Sequence, residues 1–185
     1  QIPKATGAIA TIAVPASPAI ESSPRFTDNV GQPIDRAALT DGSFATAASI
    51  PLEDDQSATV TVAYPQPVTV RSIELFVPGL ARPFRGFPLE GTLDAFIDGE
   101  WREQTPLPLS GTPTVMGFDA VTARRFRIRF ASNSDVPDTG GSAGAPGTRG
   151  GDVFALGDLQ SFPLAELSFS AASRLDHARE KAGFG

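Results

Sequence analysis

Thr40-Asp41-Gly42-Ser43-Phe44-Ala45-Thr46, taken with Glu166 far down the chain in Leu164-Ala165-Glu166-Leu167, holds the residues best suited to chemistry. An Asp-Gly pair makes a tight turn, because glycine accepts backbone angles that a side chain forbids. Asp41 offers a carboxylate, Ser43 and Thr46 add hydroxyls, and the turn supplies carbonyls. Oxygens of this kind suit Ca²⁺, which takes about six to eight of them at about 2.3–2.6 Å. Glu166 would add a second carboxylate from the last strand and staple an early loop to it. The competing reading is an ordinary turn and an exposed glutamate.

Other reactive groups are sparse. The chain has no cysteine and one histidine, His177, so thiolate chemistry, disulfides and a multi-histidine metal centre have nothing to build on. A Ser-His-Asp triad is equally poorly supplied. Glu53-Asp54-Asp55 provides carboxylates, but glycoside hydrolysis needs two of them about 5–9.5 Å apart across a bond, and adjacent acids read as a solvated turn. Phe84 and Phe87, flanked by Arg82 and Arg85, are candidates for carbohydrate or interdomain contact. Trp101, the only indole, is either a sugar platform or a half-buried strand aromatic. Arg125, Arg127 and Arg129 share one face of a strand. They would either grip carboxylates on sugars or a partner, or line a solvated sheet face.

The elements that must position these groups are short, alternating and bounded by Gly and Pro, as in an antiparallel β fold with one buried face. Ala58, Val60, Val62 and Tyr64 alternate with polar or small neighbours. Val68 and Val70 precede Ile73, Leu75 and Val77, and the slip in phase at Arg71-Ser72 predicts a β-bulge. Thr92 to Ile97 and Glu100 to Gln104 flank Asp98-Gly99, a strong hairpin signal. Phe126, Ile128 and Phe130 alternate with the arginines, and Ala165, Leu167 and Phe169 form the inward face of the last strand. Ala8 to Val14 is a first strand or a tether. The connections 78–90 and 131–152 read as loops, the second as a mobile or omega-like excursion. Ser173 and Asp176 resemble a capping box for a short helix from Arg174 to Lys181.

At 185 residues and 41% hydrophobic, the chain is long enough for one domain with a core. A net charge of −6 opposes recruitment to nucleic acid or anionic membranes. No apolar run is long enough to span a bilayer and no signal peptide opens the chain. Beginning at Gln1 and ending at Gly183-Phe184-Gly185, the chain is expected to be a piece of a larger enzyme: a core sandwich over about residues 8–170 and a linker helix over 171–185.

The Leu-Thr-Asp-Gly turn with Thr46, Val70-Arg71-Ser72-Ile73-Glu74-Leu75, Ala123-Arg124-Arg125-Phe126-Arg127-Ile128 and Leu164-Ala165-Glu166-Leu167 together resemble the discoidin-like, or galactose-binding-domain-like, jelly-roll sandwiches. That resemblance implies an all-β, antiparallel jelly roll with a structural Ca²⁺ framed by Asp41, Ser43, Thr46 and Glu166. Ser43 departs from the acidic or amide residue often found there, and Ala47-Ala48 replaces a bulky aromatic. Ile9-Ala10-Thr11-Ile12-Ala13-Val14 and Ser173 through Phe184 resemble, more narrowly, the edges of the β-sandwich inserted in family 106 α-L-rhamnosidases. The resemblance implies a non-catalytic accessory domain that supports a catalytic domain or presents substrate, in the periplasm or outside the cell. The alternatives are an autonomous carbohydrate-binding module and a protein-interaction module. The implied partners are the parent's catalytic domain and rhamnose-containing carbohydrate, and no catalytic residue carries over.

Overall fold

The structure is a computed structural model and describes residues 20–80, 87–133 and 160–174. Strand β4 (Ala58–Phe76) and strand β7 (Thr114–Ser132) are its long members, and they pair antiparallel from Ala58↔Phe130 to Leu75↔Thr114. The register shifts between Ala63 and Val68, around Pro65 and Pro67, and again between Val70 and Ser72. The second shift lies at the predicted bulge. One strand therefore unites two segments that the alternation had separated, bending where its prolines withhold N–H donors.

The shorter strands fall on either side of this pair. Strand β1 (Arg25–Thr27) joins the first half of β4 and carries β2 (Pro33–Ile34), while β9 (Glu166–Ser170) joins the second half of β4. Strand β5 (Leu89–Ile97) lies against β7 and is followed by β6 (Glu100–Leu107), giving the order β2-β1-β4-β7-β5-β6. Strands β3 (Ala48–Pro51) and β8 (Ser161–Leu164) form a separate antiparallel pair. The β5–β6 turn is the expected Asp98-Gly99, with φ of 52° and 85°, the left-handed geometry that a two-residue hairpin demands.

The core follows the alternation. Ala58, Val60, Val62 and Tyr64 of β4 and Phe126, Ile128 and Phe130 of β7 are all buried. Phe126 meets Tyr64 edge-on at 6.3 Å and Phe169 of β9 at 5.0 Å between ring centres. Phe130 meets Phe162 of β8 at 4.9 Å, which fastens the β3–β8 pair to the main sheet. Gly91 admits a close neighbour: a Cβ there would lie 3.1 Å from Cβ of Leu107. The fold is an antiparallel β-sandwich with very little helix, as the sequence implies.

A five-residue helix, α1 (Arg36–Thr40), was not foreseen. Its signals are local: Asp35 caps the start by accepting the N–H of Ala37 at 2.9 Å, and Gly42, with φ of 71°, turns the chain away beyond Asp41. The segment Ala8 to Val14, residues 81–86 of the connection 78–90, residues 134–152 of the connection 131–152, and the expected terminal helix beyond Arg174 lie outside the described residues. No helix among the described residues is long and apolar enough to cross a membrane.

Candidate functional site

The Asp-Gly turn and Glu166 do meet. Helix α1 lies against β9, with Asp41 as its C-terminal cap, and the Gly42 N–H and the Ser168 hydroxyl both donate to the Glu166 carboxylate. Glu166 is buried, at 7% exposure, and its Oε2 has no hydrogen-bond partner among the described residues. Burial raises its pKa, and the nearby negative charges of Glu74 and Asp41 push in the same direction. The exposed-glutamate reading is therefore excluded.

The turn's own oxygens are partly engaged with one another. Asp41 Oδ1 accepts the Ser43 N–H at 2.7 Å, Ser43 Oγ accepts the Ala45 N–H at 3.2 Å, and the Thr46 hydroxyl approaches Ser43 Oγ at 3.5 Å. Among the described residues no group of three or more His, Cys, Asp or Glu side chains is placed to hold a metal. A cation here would draw on hydroxyl and carbonyl oxygens beside Asp41 and Glu166, a hard donor set of the kind Ca²⁺ takes. The orphaned Oε2 in a pocket of negative charge fits that demand. Glu74, beside Glu166, is itself bound to the Arg174 guanidinium.

A second cluster covers the outer face of β5, β6 and β7. Arg127 and Arg129 converge on Asp94, whose Oδ2 accepts from Arg127 Nε at 2.6 Å and from Arg129 Nε at 2.8 Å, while Oδ1 accepts from Arg129 at 3.1 Å. Arg129 also reaches Glu103 at 3.0 Å. Asp94 is only 2% exposed although it stands on the outward side of its strand, because the arginine stems cover it. Burial pushes its pKa up, but hydrogen bonds from Arg129 and Arg127 outweigh that and hold it below the ordinary aspartate value. Two of the three arginines expected to face solvent or a partner are thus tied within the sheet. Trp101 is half-buried, edge-on to Phe96 at 5.1 Å, with the Arg127 guanidinium 4.6 Å from its ring centre.

The aromatic loop candidate divides. Phe87 is a core residue at 7% exposure, so its ring packs inward instead of offering a face to a sugar. Burying a large apolar ring outweighs presenting it at a loop tip. Arg82, Phe84, Arg85 and His177 lie outside the described residues. Glu53, Asp54 and Asp55 form an exposed turn, closed by the Gln56 N–H to the Glu53 carbonyl and by Asp55 accepting the Ser57 N–H. The Asp94 clamp was invisible to sequence reading. Its nearest hint is an acid at an outward strand position in a chain whose arginines alternate on another strand.

Comparison with known proteins gives structural likeness alone. No protein-family model matches the chain, and no curated protein matches it. Over 96% of its length the chain superposes on 13% of a rhamnosidase from Novosphingobium sp. PP1Y, at a TM-score of 0.65 and 25% sequence identity. It thus spans a small fraction of that protein. The CBM32 of AlyQ, solved in complex with 4,5-unsaturated mannuronic acid, matches 80% of the chain and 94% of its own, at a TM-score of 0.50 and 15% identity. A chain from the Streptococcus pneumoniae β-galactosidase BgaA matches over 83% of this chain and 93% of its own, at 0.52 and 14%. The last two likenesses bear on the fold.

Asp94→Asn leaves Arg127 and Arg129 without a matching anion. It is expected to cost about 1–3 kcal/mol in denaturant unfolding, the scale for removing one partner of a buried, charged hydrogen-bond set. An unchanged midpoint would mean that the clamp contributes nothing. For Glu166 the sign runs the other way. Because its folded pKa is raised, the proton binds the folded state more tightly. That contribution is complete below the unfolded value and is lost as pH rises through the raised folded one. In chelator, Glu166→Gln should therefore melt above the wild type at about pH 7.5, with the gap closing towards about pH 4. Identical melting of the two at every pH would contradict a raised pKa.

Proposed function

We propose that this chain is a non-catalytic accessory domain of a larger glycoside hydrolase of rhamnosidase type, and that it supports the catalytic domain or presents substrate to it. The observation that carries the reading is the match of nearly the whole chain to a small part of the Novosphingobium rhamnosidase. A β-sandwich occupying so small a share of an enzyme is a component beside the catalytic machinery. The chemistry of the described residues supports the same reading. The buried acids Asp94 and Glu74 are bound by arginines, and hydrolysis needs two carboxyl groups facing a glycosidic bond from opposite sides. The domain works outside the cytoplasm, in the periplasm or beyond the cell, where polymeric glycans are met.

A second reading is an autonomous carbohydrate-binding module. It is favoured by the AlyQ and BgaA chains, in which the same fold makes up almost the entire length, one of them in complex with a sugar acid. In either role, Asp41, Ser43, Thr46 and Glu166 hold a structural Ca²⁺. The ion would neutralise the clustered carboxylates and tie α1 to β9.

Two measurements separate these claims. Calorimetry of the folded chain against L-rhamnose and rhamnose-containing oligosaccharides, with calcium present, should show no saturable heat if the domain is a scaffold. Saturable heat would instead identify a binding module, and cleavage of an aryl rhamnoside lost on changing one of the chain's own carboxylates would reject both. For the metal, chelation should lower the melting temperature and added Ca²⁺ restore it, because a ligand held by the native state alone adds to its stability. A melting curve unmoved by chelator, with no metal in the purified protein, would remove calcium from the account.

A further inference from the structure

One row of residues can be followed across the main sheet from strand to strand. Arg25 of β1 is opposite Ala63 of β4, which is opposite Arg125 of β7, and on β5 and β6 Phe96 is opposite Trp101. The Arg125 guanidinium lies over the Phe96 ring, 3.8 Å from its centre, which joins the two parts. The row faces outward, since its chain neighbours Phe26, Val62, Tyr64 and Phe126 are core residues. Arg25 and Arg125 stand two strand spacings apart, about 9.6 Å between backbones. Only the methyl group of Ala63 rises between them.

These two arginines differ from Arg127 and Arg129. Neither forms an ion pair with a carboxylate among the described residues. The Arg125 guanidinium carbon lies 3.8 Å from the Phe96 ring centre and 5.8 Å from that of Trp101, and cation–π contact of this kind uses none of the N–H donors whose fork matches a carboxylate. The neighbouring Asp94 is already saturated by Arg127 and Arg129, so it does not compete for Arg125. In a protein of net charge −6, the face therefore keeps two exposed arginines, one on either side of Ala63.

We propose that this sheet face binds carboxylate-bearing polysaccharide, with a sugar ring over Ala63 and uronate carboxylates gripped by Arg25 and Arg125. The proposal rests on the accessory reading above in one respect, that the chain works where glycans are met. A protein partner is disfavoured by composition. Stable protein interfaces have an apolar core, whereas the exposed large hydrophobic residue among those described is Val30, outside the row. A hydroxylated polyanion needs no such patch. The Thr27 and Thr61 positions, paired with each other and with Arg127 in the adjacent row, supply hydroxyls alongside.

Affinity electrophoresis through gels containing polygalacturonate, its fully methyl-esterified form or poly-glutamate tests this. The wild type should be retarded by polygalacturonate, much less by the ester and less by poly-glutamate. Arg25→Ala and Arg125→Ala should each weaken the retardation about tenfold, the scale of one charge-assisted contact. Arg125→Lys should fall between, keeping charge without the fork, while Arg71→Ala, outside the row, should match the wild type. All variants change exposed side chains and should melt cooperatively. No retardation by polygalacturonate, equal retardation by poly-glutamate, or retardation indifferent to Arg25 and Arg125 would each overturn the proposal. Heat with neutral rhamnosides that survives both substitutions, joined to no retardation by polygalacturonate, would mark a binding module whose site lies elsewhere on the domain, so that this proposal fails while a glycan role stands.

Discussion

The antiparallel pairing of β4 with β7 positions the other strands of the main sheet. Strands β1 and β9 hang on the free side of β4, and β5 with β6 on the free side of β7. Because side chains alternate with period two, a slip of one residue in this pairing would exchange the faces. Phe126, Ile128 and Phe130 would meet water, and Arg125, Arg127 and Arg129 would enter the core. Burial of the three apolar side chains and exclusion of three charges act together against that slip. The register thus fixes the core and, by the same step, the outward cationic row.

Asp94 extends the constraint to the neighbouring strand. Its contacts to Arg127 and Arg129 cross from β5 to β7 on the side away from the core, so the two strands are held by apolar packing below and by charge-assisted bonds above. Glu166 is the contrasting case at the α1–β9 contact. It too is a buried acid, but like charges surround it and one of its oxygens lacks a partner. Opposite surroundings give the two carboxylates opposite shifts. One is a finished internal contact, whereas the other is a buried acid whose neighbours oppose its charge.

Local order was legible where the signal is itself local. The alternation through β4 and β7, the bulge at Arg71-Ser72 and the Asp98-Gly99 hairpin could be read from adjacent residues, because each depends on strand period or turn stereochemistry. Helix α1 escaped because five residues carry too little periodicity, although Asp35 and Gly42 bracket it. Phe87 was misread because flanking arginines in a Gly- and Pro-rich stretch resemble a loop, and the sequence does not say which aromatic turns inward. The Asp94 clamp joins residues 33 and 35 positions apart, and the row from Arg25 to Trp101 crosses five strands. Such contacts exist only after register is set, so no sequence window contains them.

The ends of the main sheet carry a consequence for life in a crowded solution. Outermost strand β2 has two residues, one of them Pro33, and outermost strand β6 displays Glu100, Arg102, Glu103 and Pro106 to solvent. Proline withholds a donor, and charged side chains resist burial beneath an added strand. Neither end makes a good template for another chain. Those two ends can then lie beside many copies of the same fold with little risk that their exposed backbone seeds a fibril.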